Sequence, residues 1–242
     1  MSFATGLRQL LALRQTDVVS ELRRGDSLEN ILNKHLLTVE SASDDEILTS
    51  VLLLSPDGKH LTHGAAPSLP QPYVDAINGA EIGPSAGSCG TAAYLGEPVY
   101  VSDIATDPRW AAYRDLALSH QLRSCWSTPI RRSDGGVMGT FAIYHRSAGA
   151  PTRDELKLIE FITGNVARTI TWARNPNATV DAVEMLPKQL AALQAVARAI
   201  TEHSETLGEE GREAIDAIVT DVEKLAEIVR AQLFPMAADP NN

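Results

Sequence analysis

The sequence lacks any long apolar segment and has little cysteine. No window approaches eighteen consecutive apolar residues in the 242-residue chain, so a transmembrane helix is not predicted. Charged residues interrupt the first 22 positions, which excludes a signal peptide. Two cysteines in a chain of this length do not make a disulfide scaffold. These absences predict a reduced, cytoplasmic protein without a membrane partner.

Positive charge is also scarce. The formal net charge is −10, which argues against a broad nucleic-acid-binding surface, because such a surface needs clustered lysine and arginine. Residues 180–242 hold twelve acidic and five basic residues, so they carry a net charge of −7. An acidic helical segment of this kind is typical of a solvated face, and a docking site for a basic partner is the alternative.

The first 46 residues predict two helices. Apolar side chains share one helical face up to Gly25, which ends the first helix because glycine adopts the left-handed conformation without penalty. Asp26-Ser27-Leu28-Glu29 is an N-terminal capping signal for the second helix. The polar cluster of residues 41–46 ends that helix.

The middle of the chain predicts strands grouped between helices. A hairpin turn at Ser55-Pro56-Asp57-Gly58 joins the first two strands, and Thr152-Arg153-Asp154-Glu155 is a capping box that opens a long helix after the last strand. The predicted strands are 47–54, 59–64, 98–102, 124–130 and 137–145. This order predicts an α+β fold, with a central antiparallel sheet of five to six strands, helices on one face and loops on the other.

The last part of the chain predicts a helical hairpin over residues 180–235, after a linker at 175–179. Apolar residues recur there with alternating spacings of four and three, which is typical of a narrow helical seam. Two helices with one apolar stripe each bury little by themselves. We therefore predict a dimerisation or transmitter role, with homodimerisation as the economical interpretation.

Residues 85–144 are the stretch around which the chain is organised, since they hold both cysteines and two of the three tryptophans. The aromatic residues could wall an apolar or planar ligand site, or they could be ordinary core. They are Trp110, Tyr113, Trp126, Phe141 and Tyr144. Strand alternation places Cys125 and Ser127 on one face and Trp126 on the other, so only one set can face a pocket.

Asp103 and Arg109 are candidates for polar contacts in such a site, and a capping or surface ion-pair role is the alternative. Cys89 and Cys125 could form a redox or metal-sensing pair, or they could be two buried small hydrophobic residues. A metal site would need three or four ligands, and no cysteine or histidine spacing supports one. His60 and His63 alternate onto opposite strand faces, which argues against joint ligation.

Three segments together resemble the GAF domain, and the resemblance spans about residues 28–172. They are Ser85-Ala86-Gly87-Ser88-Cys89-Gly90-Thr91-Ala92, Pro98-Val99-Tyr100-Val101-Ser102-Asp103-Ile104, and Cys125-Trp126-Ser127-Thr128-Pro129-Ile130 with Gly139-Thr140-Phe141-Ala142. The resemblance implies a ligand-sensing domain that dimerises through its terminal helices. It also implies a pocket between the sheet and its loop-rich face. In bacterial signalling proteins such domains precede histidine kinase, diguanylate cyclase or phosphodiesterase output domains.

We therefore predict three segments: an N-terminal helix at 1–25, a GAF-like sensory domain at 26–174 and the C-terminal hairpin. We expect a non-catalytic module that senses a small molecule and signals through dimer helices to a partner or an output domain. The predicted ligand-binding residues are Cys89, Thr91, Asp103, Trp110, Tyr113, Cys125, Ser127 and Tyr144. The sequence leaves any cofactor unknown, and the ligand stays open among cyclic nucleotides, haem, amino acids, 2-oxo acids and none.

Several alternatives follow from the same residues. The cysteine arrangement resembles GAF-type free methionine sulfoxide reductases, which implies a thiol-based redox sensor or reductase, although Trp126 follows Cys125 and a third cysteine is lacking. Bilin attachment, as in phytochrome GAF domains, usually has histidine at the position of Trp126.

His203 suggests a phospho-acceptor, as in histidine kinase dimerisation helices, yet Gly208 ends the helix too soon after it. No output domain is recognised after Trp172, so the chain is a stand-alone sensor or the sensory part of a longer one. A scaffold with a collapsed pocket is the remaining alternative.

Overall fold

The computed structural model describes residues 3–43, 46–175 and 220. The helices are α1 (Phe3–Arg24), α2 (Leu28–Ser41), α3 (Gln71–Ile77), α4 (Gly87–Leu95), α5 (Arg114–Ser119) and α6 (Arg153–Arg174), with a 3₁₀ turn at Pro108–Trp110. The strands are β1 (Ile47–Leu54), β2 (His60–Ala65), β3 (Ala80–Glu81), β4 (Val99–Val101), β5 (Ser124–Arg131) and β6 (Val137–His145). The predicted hairpin at 180–235 and His203 lie outside the described residues, apart from Thr220.

The six strands form one sheet in the order β3-β2-β1-β6-β5-β4, and every neighbouring pair is antiparallel. The predicted α+β class, with a central antiparallel sheet of five to six strands, is confirmed. β6 lies at the centre, where it pairs with β1 along one edge and with β5 along the other. The sequence missed the two-residue strand β3, because the preceding Asn78-Gly79 reads as the end of a helix.

Each face of the sheet carries its own hydrophobic cluster, because strand side chains alternate between the two faces. The pocket-face cluster joins the sheet to α3, α4 and the 3₁₀ turn, and includes Leu52, Tyr73, Cys125 and Tyr144. The helix-face cluster joins the opposite face to residues of α1, α2 and α6. Its members include Leu11, Leu36, Trp126, Phe141 and Val166. Both faces of β1 are covered, as its mostly apolar sequence predicts.

Local signals place the helices as expected. Gly25 has a φ of 83° and separates α1 from α2. The Ser27 side chain accepts a hydrogen bond from the Asn30 backbone N–H at 3.2 Å, which caps α2. At the start of α6, Thr152 and Glu155 each accept a hydrogen bond from the other's backbone N–H, at 3.3 and 2.7 Å. The capping box predicted from the sequence is therefore present.

The chain divides into two compact units. The larger comprises residues 1–18 and 25–171, and contains the sheet with both hydrophobic clusters. The smaller comprises residues 19–24 and 172–242, and of these only 19–24, 172–175 and 220 are described.

Across the ranges that the structure covers, no helix combines the length and the apolar character that a bilayer span requires.

Candidate functional site

A small cavity lies between the pocket face of the sheet and the helices above it. Its volume is about 40 Å³. Leu52, Leu61 and Tyr144 contribute from the strands, and Tyr73 and Ile77 contribute from α3. The remaining wall is formed by Ala80 and by residues 86–90, Trp110 and Tyr113. The cavity therefore sits at the stretch around which the sequence is organised.

The cavity lining is apolar with a few hydroxyl and thiol groups. Among the described residues that form it, none is aspartate, glutamate, lysine, arginine or histidine. Its polar side chains are Ser88, Cys89, Tyr73, Tyr113 and Tyr144. Burial raises the pKa of the Tyr73 and Tyr144 phenols well above their usual value, so both are neutral at physiological pH. An uncharged wall of this kind favours an uncharged occupant.

Hydrogen bonds anchor the first turn of α4 against the cavity. The Trp110 indole N–H donates to Ser88 Oγ at 3.1 Å, and the Ser88 hydroxyl donates to the Cys125 carbonyl at 3.0 Å. Gly87 has a φ of 63°, a conformation that favours glycine. A Cβ at this position would make only an ordinary van der Waals contact with the Trp110 ring, at 3.7 Å, so the backbone conformation is what favours glycine. The chain therefore needs Gly87-Ser88 here to bring α4 onto the sheet.

The two cysteines are buried and meet beside Tyr144. Both are free thiols, with Cys89 8% exposed and Cys125 fully buried. Cys89 Sγ lies 3.8 Å from the Tyr144 hydroxyl, and Cys125 is the cross-strand partner of Tyr144. Cys125 lies near enough to Cys89 to be the largest influence that lowers the pKa of the Cys89 thiol. Helix α4 and strand β5 therefore bring together two thiols that are 36 positions apart in sequence.

The thiols differ in acidity for identifiable reasons. The hydrogen bond from Cys125 lowers the pKa of Cys89, burial opposes that effect, and the Ser127, Tyr144 and Thr140 hydroxyls lower it further. Burial raises the pKa of Cys125 well above its usual value, and the neighbouring Cys89 adds to the rise. If one of the pair ionises, it is therefore Cys89.

The Ser127 and Thr140 hydroxyls are fully buried on the same sheet face as Cys125. Neither makes a well-aligned hydrogen bond with any residue that the structure describes. Both are nonetheless close enough to the Cys89 sulfur to stabilise its anion. Unpaired buried hydroxyls are rare in folded proteins, so these two mark the surroundings of Cys89 as unusual.

The structure brings together six of the eight predicted ligand-binding residues. Cys89, Trp110, Tyr113 and Tyr144 line the cavity. Cys125 and Ser127 lie behind that lining, on the sheet face next to Cys89.

Thr91 and Asp103 lie apart from the cavity lining that the described residues form. Thr91 Oγ1 accepts a hydrogen bond from the Ala86 backbone N–H at 3.2 Å, which stabilises the start of α4. Asp103 accepts from the Ala105 N–H and pairs with Arg123, both at 3.0 Å. Arg109 pairs with Asp107 at 2.7 Å. These are the capping and ion-pair roles that the sequence left as the alternative for Asp103 and Arg109.

Two aromatic residues belong to the other face. Trp126 and Phe141 pack in the helix-face cluster, which is the ordinary core role that the sequence left as the alternative for the aromatic residues. The alternation along β5 sends Trp126 away from Cys125, and the same alternation along β6 sends Phe141 away from Tyr144.

Sequence reasoning missed the α3 side of the cavity. Tyr73 is almost fully buried, and its ring meets that of Tyr144 edge-on at a centroid distance of 5.9 Å. The available signal was a single aromatic residue in a short, mostly apolar segment, residues 73–77, before Asn78-Gly79. Nothing local indicated that this helix folds over residues 85–144, because the contact is made by the tertiary fold.

A larger groove of about 540 Å³ lies on the helix face between β5 and α6. Arg131, Arg153, Lys157 and Glu160 line it, and none of the predicted ligand-binding residues does. Within the described ranges, no cluster of three or more histidine, cysteine, aspartate or glutamate side chains could hold a metal ion.

Among known proteins, the chain is similar to the methyl sulfide methyltransferase-associated sensor of Methanosarcina acetivorans. The two are 38% identical over 151 residues. That match covers 62% of this chain and 15% of the relative, so the chain spans a small part of the relative's length.

Solved structures share the fold at low sequence identity. A GAF sensor protein from Burkholderia vietnamiensis superposes with a TM-score of 0.57 at 20% identity, over 72% of this chain and 99% of that one. The free methionine-R-sulfoxide reductase from Neisseria meningitidis, in complex with its substrate, gives a TM-score of 0.55 at 17% identity, over 73% and 95%. At these identities the likeness concerns the fold alone.

A model of the GAF domain family matches residues 26–171, more than half of the chain. The match includes the whole sheet, the cavity and the helices that enclose it. With the sheet order, the cavity beneath α3 and α4, and a homologous sensor protein, this match shows that the chain belongs to the GAF domain family.

Proposed function

We propose that the protein is a non-catalytic sensory module of bacterial-type signal transduction, in which the cavity binds a small uncharged molecule. The observation that carries this proposal is a small cavity without a charged side chain in its lining. Family membership and the sensor homologue support a sensory role. The module acts as a homodimer in a cytoplasmic setting and passes its signal to a partner or an output domain.

The cavity volume limits the size of the ligand. A single water needs roughly 10–15 Å³ of such volume, so about 40 Å³ admits about three water-sized groups. Pockets for drug-sized ligands measure about 300–1,000 Å³. Cyclic nucleotides and haem are far larger than this cavity. Amino acids and 2-oxo acids carry charges that the lining does not neutralise, and an unpaired buried charge is costly.

Dialkyl sulfides are one class with suitable properties. The Methanosarcina relative is named as a sensor associated with a methyl sulfide methyltransferase. Dimethyl sulfide is uncharged and has three heavy atoms, so it suits an apolar cavity of this size. The Cys89 thiol and the Tyr144 hydroxyl would be the polar neighbours of its sulfur.

The sheet offers a physical route from the cavity to the terminal helices. Cys125 on β5 belongs to the pocket-face cluster, and the next residue, Trp126, packs in the helix-face cluster with α6. On β6, likewise, Tyr144 belongs to the pocket-face cluster and the neighbouring Ile143 packs in the helix-face cluster. A ligand that shifts the strands would therefore change the packing of α6, and binding would select one packing over the other.

Thermal unfolding with matched probes tests the ligand proposal. We expect dimethyl sulfide and acetamide to stabilise the full chain in a saturable way, by about 4 °C at ten times the Kd. Acetate, the anion with the shape of acetamide, should give no shift. Ala80→Leu adds bulk beside the cavity and should remove the effect, whereas Ala111→Leu at an exposed position should preserve it. If neither neutral probe stabilises the protein, the scaffold alternative replaces this proposal.

A thiol function for Cys89 and Cys125 is the second candidate, as a redox sensor or a sulfoxide reductase. The two free, buried thiols both lie beside Tyr144, which favours it. Turnover of free methionine sulfoxide with a thiol reductant tests the enzyme form, and should be lost in Cys89→Ser. Absence of turnover in the reduced, full-length protein would remove the reductase and leave the sensor form, which peroxide oxidation tests separately.

A further inference from the structure

We propose that Cys89 and Cys125 are a peroxide-reactive pair, in which Cys89 attacks a hydroperoxide and Cys125 then closes an intramolecular disulfide between α4 and β5. This inference rests on the second candidate function above, and names its reacting residues and its oxidant class. It does not require a ligand in the cavity, so it can fail or succeed independently of the ligand proposal.

The fold places the two cysteines beside each other on the pocket face of the sheet. Cys89 sits in the first turns of α4, and Cys125 points to the same sheet face from the second position of β5. The Ser88 hydroxyl donates to the Cys125 carbonyl at 3.0 Å, which ties the two segments together beside the thiols. Tyr144 meets both cysteines, by its hydroxyl at 3.8 Å from Cys89 Sγ and as the strand neighbour of Cys125. A bond between the sulfurs would therefore link segments that are already held together.

A thiolate at Cys89 would provide a hydrogen-bond acceptor for two buried hydroxyl groups that otherwise lack a partner. Ser127 and Thr140 are fully buried, yet their hydroxyls lack aligned partners in the part of the chain that the structure covers. Buried hydroxyls without partners are costly. A thiolate at Cys89 would accept hydrogen bonds from both of them, from the Tyr144 hydroxyl and from the Cys125 thiol. These same groups lower the pKa of Cys89, which supports the assignment.

The different exposure of the two thiols sets the order of reaction. Cys89 lines the cavity and is 8% exposed, whereas Cys125 is fully buried behind it. A small oxidant entering the cavity therefore meets Cys89 first. The cavity of about 40 Å³ admits hydrogen peroxide but excludes a bulky disulfide such as oxidised glutathione.

The chemistry is a two-electron oxidation by a hydroperoxide. The Cys89 thiolate attacks the terminal peroxide oxygen, the O–O bond breaks, and the leaving oxygen takes a proton to give an alcohol or water. The Cys89 sulfenic acid is then attacked by the Cys125 sulfur. The S–O bond breaks, and water leaves with the proton of Cys125. In total, two thiols and one hydroperoxide give one disulfide, one alcohol or water, and one further water.

Oxidation would alter the cavity itself. The disulfide would withdraw the Cys89 thiol from the lining and remove its contact with the Tyr144 hydroxyl. It would also fix the first turns of α4, which form part of the cavity wall, to β5. The cavity is therefore the part of the molecule in which the oxidised and reduced forms differ.

Peptide mapping of the full-length protein tests the pair. The reduced protein is treated with one equivalent of hydrogen peroxide at neutral pH, quenched with an alkylating agent and analysed by mass spectrometry without reductant. We expect a Cys89–Cys125 linked peptide within one chain, the loss of both free thiols and their return with dithiothreitol. Oxidised glutathione should leave both thiols free. Thiols that resist peroxide until the chain is unfolded, or disulfides only between chains, would overturn the proposal.

Single variants separate the roles of the two cysteines. Cys125→Ser should accumulate a sulfenic acid at Cys89 that dimedone traps, because the second thiol is missing. Cys89→Ser should leave Cys125 unreactive towards peroxide, because it is buried and its proton is held more tightly. Dimedone labelling of Cys125 in that variant, or its absence from Cys89 in Cys125→Ser, would contradict the assigned order.

Ser127 and Thr140 are positioning residues in this account, and their test is a pH profile. In the double variant Ser127→Ala with Thr140→Val, the pH profile of the rate of disulfide formation should move to higher pH. A profile that lies one pH unit higher corresponds to a rate about tenfold lower at pH 6. Thr128→Val, on the opposite face of β5, is the control and should keep the wild-type profile. A purely structural role would lower stability without moving the profile, and that result would refute the role of the two hydroxyls.

Discussion

His35 is a fully buried histidine on α2, and it illustrates how single residues set the behaviour of this domain. Neither ring nitrogen has a hydrogen-bond partner among the residues that the structure describes. Burial lowers the pKa of His35 to about 4, and the charges of Arg14 and Arg168 act in the same direction. The folded protein therefore holds this imidazole neutral over the physiological range.

The low pKa makes stability depend on pH. Below the ordinary value of 6.5 the unfolded chain binds a proton more readily than the folded one, so the free energy of unfolding falls as the pH drops from 6.5 towards 4. The total loss is about 3 kcal/mol, and above pH 6.5 the residue contributes no pH dependence. His35→Leu should flatten this part of the curve in urea denaturation at a series of pH values.

A neighbouring variant controls this measurement. Thr38→Val lies on the same helix and introduces no titrating group, so it should keep the wild-type slope between pH 6.5 and 4. An unchanged slope in His35→Leu would show that other groups cause the acid sensitivity.

The candidate site shows which residues a sequence can identify. Cys89, Trp110 and Tyr144 could be named because they fall within one contiguous stretch of unusual residues. Tyr73 could not, since its contact with Tyr144 is made only when α3 folds over the sheet. The unpaired Ser127 and Thr140 hydroxyls were equally hidden, because hydrogen-bond satisfaction is a property of three-dimensional geometry.

At the scale of elements, helix α6 is the long helix whose sequence signals are clearest. Its start is set by the reciprocal hydrogen bonds of Thr152 and Glu155. Leu158, Ile159 and Val166 on one side of it pack in the helix-face cluster. The start of this helix is therefore fixed by capping and its orientation by burial.

Removing the cap should weaken this helix by a modest amount. Thr152→Ala is expected to lower the free energy of unfolding by about 1 kcal/mol. Lys157→Ala removes only an exposed ion pair with Asp154 and should change stability little. Urea denaturation compares the two, and equal effects would mean that the capping box contributes nothing beyond a surface contact.

The elements also show where sequence patterns become too short to interpret. Helix α4 has nine residues and begins at Gly87, whose positive φ is not a helical signal in the sequence. Strand β3 has two residues, which cannot display an alternating pattern. The long strands and helices were predictable, because their apolar residues recur at a regular spacing over many positions. Capping residues mark the ends of the helices.

At the scale of the whole molecule, the order of helices and strands predicted the α+β class, and the motifs of residues 85–144 indicated the family. The volume of the cavity could not be foreseen, since it depends on how residues from seven elements pack. The predicted homodimer likewise depends on how the surfaces of two chains fit together, which the apolar pattern of a single sequence does not describe.

The proposed homodimer has a direct test. Leu10 on α1 is 47% exposed, and Leu95 at the end of α4 is 53% exposed. If the terminal helices form the dimer, Leu10→Glu should weaken it at least about tenfold in Kd, whereas Leu95→Glu should leave it intact. Light scattering over a dilution series measures this. A wild-type protein that is monomeric at all practical concentrations would remove the dimer from the signalling mechanism.

The central claim is that the cavity beside Trp110 binds a small uncharged molecule, and the three tryptophan indole N–H signals in ¹⁵N NMR test it most directly. The Trp110 N–H donates to Ser88 at the cavity wall, while that of Trp126 donates to the Gly149 carbonyl in the helix-face layer. In the full-length protein, dimethyl sulfide should shift the Trp110 signal saturably and leave the Trp126 signal nearly unchanged. Acetate should shift neither. A Trp110 signal that does not respond to dimethyl sulfide or acetamide, or that responds equally to acetate, would contradict the account.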